Sequence, residues 1–235
     1  MPHYKLGEEA LGLMRRIVEA NAWRQYLGVN ILGHCLKMMG DLEGKRCVTR
    51  EVGVCLDFYG ELESAYTELG GEDLDYAVRD RLLNVPMPTS RFELGLCRHL
   101  TDRAQRIALA SYEGSRCATF ASVAARHLER PALVQVAERE RMAEFCTEPA
   151  NRPRAQEAFN RWLTISLLAL GRPGSMGDRR ALELGLRSDG SEVLVERYLD
   201  EVKLLLESWG LAFPSPDLLP VELPAALGQR LLARA

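Results

Sequence analysis

The feature that most constrains this chain is the period of its apolar residues. Along nearly the whole length they recur at spacings of three and four, the repeat of one face of an α-helix. No long run alternates apolar with polar, and the β-branched residues are scattered rather than gathered into strand-sized blocks. A chain patterned this way buries its surface by packing helix on helix. The predicted fold class is therefore all-α, a helix bundle with shorter helices appended.

The stops in the pattern predict where the helices lie. A short helix is expected over residues 7–19 and a second over 22–39, where Tyr26, Val29, Asn30, Gly33, Leu36 and Lys37 form a mixed stripe. Gly40-Asp41 breaks it. A long helix over 43–69 presents Val48, Val52, Cys55, Leu56, Tyr59, Leu62 and Tyr66 on one face, and Gly70-Gly71 ends it. A short helix over 73–83 leads to a turn at Asn84–Pro88. Further helices are expected over 91–112, 117–128, from Pro131 to 146, and over 155–170, 178–186 and 191–209. The tail at 213–217 reads as extended, with Pro224 opening a last turn. No low-complexity stretch, repeat or long linker appears, so the expectation for these 235 residues is a single domain, 1–235.

Composition closes off several function classes. The net charge is −3 and the basic residues are dispersed among acidic ones, which gives no footprint for nucleic acid. No apolar run approaches the ~18 residues of a membrane span, and the first residues lack the pattern of a secretory signal. Six cysteines, Cys35, Cys47, Cys55, Cys97, Cys117 and Cys146, sit in helical patterns without a C-x-x-C pair. They read as reduced, buried thiols of a cytoplasmic protein. G-x-S-x-G, H-E-x-x-H, the P-loop and G-x-G-x-x-G are all missing, as is any zinc-like Cys/His spacing. A ferritin-like di-iron site needs Glu-x-x-His on two helices, because positions three apart face the same way. The residues three before His34, His99 and His127 are Ile31, Leu96 and Ala124, so the motif does not occur. His99 and Asp102 form a weaker His-x-x-Asp pattern.

Several stretches taken in order resemble the oxygenase subunits of phenylacetyl-CoA epoxidase, a ferritin-like family. They are Arg161-Trp162, Leu168 to Ser175, Asp178 to Leu186, Glu196 to Val202, Trp209-Gly-Leu211 and Pro214 to Leu218, with Glu63 to Gly70 and Leu109 to Tyr112 upstream. The likeness covers most of residues 20–220. It implies a ferritin-like bundle with extra C-terminal helices, paired subunits and acyl-thioester chemistry. At the family's metal-ligand positions this chain departs. Counting back from Glu63–Gly70, the first Glu-x-x-His becomes Cys55 to Phe58. The preceding glutamate becomes Gln25, and the second Glu-x-x-His becomes Arg139 to Met142. Only the family aspartate has a match, Asp102.

Gln, Cys, Phe, Arg and Met at ligand positions do not make an iron site, so no cofactor is expected. The plainer reading is a plugged core, with Cys55, Phe58 and Met142 filling space and Arg139 paired with Asp102 in the interior. His34 and Cys35 read as packing residues, Glu138 and Glu140 as solvated, and Arg179-Arg180 as an exposed helix start. Trp23, Trp162 and Trp209 read as core or interface anchors. The resemblance then implies a non-catalytic partner subunit or acyl-thioester binder, as a homo-oligomer or with a related subunit. The alternatives are an enzyme of altered chemistry using Gln25, Asp102 and Arg139, and a di-iron oxygenase with non-standard ligands.

Overall fold

The computed structural model describes residues 6–79, 86–131, 136–219 and 225–234. The helices are α1 (Glu8–Cys35), α2 (Leu42–Glu68), α3 (Leu74–Arg79), α4 (Arg91–Ala110), α5 (Ala118–Glu129), α6 (Val136–Thr147), α7 (Arg152–Ala169), α8 (Met176–Glu183), α9 (Ser191–Trp209) and α10 (Ala225–Leu232). No strand occurs among the described residues, so the chain is all-α. No described helix is long and apolar enough to cross a membrane.

Two compact units divide the chain between them. The first holds α1, α2, α3, α5 and the segment 181–188; the second holds α4 from Phe92 onward, α6, α7, α9 and α10, with α8 split at Arg180.

In the first unit the two helices expected over 7–19 and 22–39 are one continuous helix, α1. No Gly or Pro separates them, and Asn21 does not break the helix because its Nδ2 donates to the Ile17 carbonyl one turn back at 2.8 Å. The mixed stripe expected on that segment is its wetter side. Asn30 and Gly33 are exposed, whereas Leu13, Met14, Val18, Ala22, Gln25, Leu32 and Cys35 are buried. α2 begins where Asp41 caps it, accepting from the Gly44 amide at 2.6 Å, and that bond lowers the Asp41 pKa. It ends at the predicted glycines: Gly70 takes φ +78°, and a Cβ on Gly71 would fall 2.2 Å from the Tyr66 ring.

The contacts of α2 set its partners' directions. Arg15 donates to the Leu69 carbonyl, Tyr66 donates to Glu19, and Cys55 sits against Gly28, so α1 and α2 run antiparallel. The Phe58 ring lies tilted against His127, Arg126 and Arg130 pair with Glu61, and Thr119 donates to Glu68, which lays α5 antiparallel along α2. On α2 the predicted apolar face needs one correction. Leu56 is 53% exposed, while Phe58, outside that set, is fully buried beneath His127.

In the second unit α4 is the pillar. Its Phe92 stacks on Phe145 of α6 with ring centroids 4.2 Å apart. Its Glu93 carboxylate, 3% exposed as a residue, accepts from Arg161 at 2.6 Å and from the Trp162 indole at 3.1 Å, both on α7. Its His99 ring lies against Trp209 of α9, and its Arg103 pairs with Glu201 of α9. α9 occupies the predicted residues, opened at Ser191, whose amide and hydroxyl donate to the buried Asp178, and closed by Gly210 in the left-handed region at φ +64°. Trp162 and Trp209 are fully enclosed core residues rather than surface anchors, since their indoles are needed to fill the space around α4 and α9. The end of the helix expected over 73–83, the start of the turn at Asn84, the start of the helix from Pro131 and the turn at Pro224 lie outside the described residues.

Candidate functional site

The six positions expected to mark a former metal site fall into two groups. Gln25 on α1 and Cys55 and Phe58 on α2 belong to the first unit, all buried. Asp102 on α4 and Arg139 and Met142 on α6 belong to the second. Buried polar residues on the same helices and on α5 include Glu51, 5% exposed and accepting from the Cys47 thiol at 3.4 Å, and His127, whose ring lies tilted against Phe58 with centroids 4.0 Å apart. Neither residue was singled out for this role in the sequence, because Glu51 reads as one more charge on a long helix and His127 lacks a carboxylate at the right spacing.

A di-iron centre needs several carboxylates and imidazoles turned toward one point. Phe58 has no donor atom, Met142 offers a weak thioether and Arg139 carries a positive charge. Among the described residues no three His, Cys, Asp or Glu side chains converge as a metal site. The residues present therefore do not fit that group. The thiols give no nucleophile signal either. Burial pushes Cys146 up to about 11 and Cys117 upward, the opposite of an activated cysteine.

The second unit contains a cleft of about 370 Å³. Its floor and one wall are α4, from which His99, Asp102, Arg103, Arg106, Ile107 and Ala110 face it at helical spacing. α6 adds Arg139, and α9 adds Arg197 and Glu201 one turn apart. Four guanidiniums thus face two carboxylates, a net positive field. Arg103 is compensated by Glu201, and Arg197 reaches Asp189 at 3.6 Å. Arg139 is exposed and makes no ion pair with any described residue. That corrects one expectation: Arg139 and Asp102 share this cleft, but they do not form a buried pair plugging a core. α6 presents Met142 inward and Arg139, nearly a turn away, to solvent.

His99 is 7% exposed, and its Nε2 has no hydrogen-bond partner among the described residues. Burial, and then the guanidiniums of Arg103, Arg139 and Arg98, push the imidazole down to about 4. It is neutral at physiological pH, able to give or take one hydrogen bond without adding charge. His99, Asp102 and Arg139 were visible in the sequence as candidates. Arg103, Arg106, Arg197 and Glu201 were not, although His99/Arg103, Asp102/Arg106 and Arg197/Glu201 each stand four apart on one helix. His34 is exposed, Cys35 is buried, Glu140 is exposed and Arg179 stands exposed in the first turn of α8, in keeping with packing or solvated roles. The side chain of Glu138 lies outside the described residues.

No known protein family matches the chain, and no curated protein matches it.

Proposed function

We propose that this chain is a ferritin-like helical protein of the phenylacetyl-CoA epoxidase kind that works without a di-iron centre. In that reading it is a non-catalytic partner subunit or an acyl-thioester binder, acting as a homo-oligomer or with a related subunit. The observation that carries the reading is the chemistry at the ligand positions: Phe58 and Met142 are buried where imidazoles would be needed, and Arg139 is a cation where a carboxylate would be needed. Six cysteines, none of them in a disulfide, fit a cytoplasmic setting.

The test combines two measurements on purified protein. Elemental analysis is expected to find far less than one iron per chain, and phenylacetyl-CoA is expected to raise the melting temperature in proportion to its occupancy. Two firmly held irons per chain with an oxo-bridge absorption band would overturn the metal-free part. A melting temperature indifferent to phenylacetyl-CoA, together with a monomeric mass and no related subunit recovered, would overturn the rest.

A further inference from the structure

We propose that the cleft lined by α4, α6 and α9 binds a small phosphate monoester, a sugar phosphate in size and chemistry. Its phosphate would sit on Arg106, Arg139 and Arg197, and its hydroxyl-bearing part would reach His99. The site is independent of the family reading above.

Four arginines face Asp102 and Glu201, and even with Asp189, which Arg197 also reaches, the cleft keeps a net positive charge that suits an anion. The same field repels a metal cation, which removes the other reading of a His-Asp-Glu grouping. The geometry then selects among anions. A carboxylate is planar and is satisfied by one guanidinium fork. A phosphate offers three terminal oxygens in a tetrahedral arrangement and can take forks from three directions. Here the forks come from three separate helices. Arg139 in particular has no ion pair with a described residue to give up.

Size and the imidazole argue for an organic phosphate. A cleft of about 370 Å³ is too large for the ion alone and falls within the range of small-molecule sites. Beside the arginines it presents Ile107 and Ala110, an apolar wall suited to a sugar's carbon face. His99 lines the same cleft, and its buried Nε2 has no hydrogen-bond partner among the described residues. Buried polar atoms are nearly always satisfied, so an orphan at a cleft marks a place for a ligand atom. A sugar hydroxyl both donates and accepts, so it meets either tautomer of a neutral imidazole.

The experiment is calorimetric titration of the intact chain at low salt with ribose 5-phosphate, with ribose, succinate and inorganic phosphate as comparison probes. One equivalent of ribose 5-phosphate is expected to bind, and ribose and succinate are expected to bind at least tenfold more weakly. Arg139→Ala, at an exposed position, should keep the fold and weaken ribose 5-phosphate about tenfold or more, the loss typical of a charge-assisted hydrogen bond. Arg154→Ala, at an exposed position of the same unit that does not line the cleft, should leave affinity unchanged. His99→Gln should weaken ribose 5-phosphate while sparing inorganic phosphate. The proposal is overturned by no binding of ribose 5-phosphate, by succinate binding as tightly, or by an Arg139→Ala variant with unaltered affinity. None of these probes is a thioester, so their failure overturns the cleft proposal and leaves the acyl-thioester reading to its own melting-temperature test.

Discussion

His99 costs the fold a proton-binding site, and that makes stability depend on pH in a definite direction. Its folded pKa is about 4 against a reference of 6.5, a depression caused first by burial and then by Arg103, Arg139 and Arg98. The unfolded chain therefore binds the proton first as pH falls. The contribution of His99 is fully present above about pH 6.5 and is lost progressively down to about pH 4. Between pH 7 and pH 5 the loss is about 2 kcal/mol, the interval over which only the unfolded imidazole protonates. Urea denaturation at pH 7 and pH 5 should show a drop in the wild type that is smaller by about that amount in His99→Gln. Equal drops in the two proteins would mean that His99 is not held neutral. The sequence reveals such a residue only in part. His99 and Asp102 stand out by spacing, and Arg98 and Arg103 lie beside them on α4, but the burial that leads the shift and Arg139, about 40 residues further along the chain, cannot be read from that segment.

At the scale of elements, the sequence reading is strongest where a helix is bounded by its own local chemistry. α9 occupies the predicted span because Gly190 precedes it and Gly210 takes the left-handed turn at its end. α2 is bounded by Asp41 and Gly70 in the same way. The reading is weakest on α1, where a polar residue inside a helix reads as a break and only the Asn21 bond to its own backbone shows otherwise. α10 is a helix of another kind, held by charge as well as by its buried Leu227 and Leu231. Arg230 pairs with Glu192 and Glu196, and Arg234 pairs with Glu196 and Asp200, three acids spaced four apart along α9. Those acids are mostly exposed, so the pairs are screened and each contributes little. Replacing both arginines by alanine should lower overall stability by only about 1 kcal/mol. Hydrogen exchange in α10 should nevertheless rise strongly, and high salt should produce the same loosening in the wild type. An α10 that stays protected in the double variant would assign its anchoring to the two leucines alone.

On the scale of the whole molecule, contiguous sequence and compact structure part company. Each of the two units is assembled from three stretches that alternate along the chain. No sequence signal announces this, because the switches fall at Arg91 and near Tyr112, Arg130, Ala181 and Asp189, where there is no linker to read. The same alternation explains why counting from family motifs places Gln25, Cys55 and Phe58 in one unit and Asp102, Arg139 and Met142 in the other. A physical consequence follows for how stability is distributed. Phe58 is completely buried and packed against the His127 ring, so Phe58→Ala removes a large side chain from the contact between α2 and α5. The expected cost is about 3–5 kcal/mol. Contacts made within a unit carry that loss to the rest of it, because cooperative opening follows packing and not chain order. Native-state hydrogen exchange on the Phe58→Ala chain should therefore show α1, α2 and α5 losing protection together, while α4, which separates them in sequence, keeps the protection of α7 and α9. If α4 loosens with α2 and α5 to the same degree, the chain opens as one block and the division into two units has no energetic meaning.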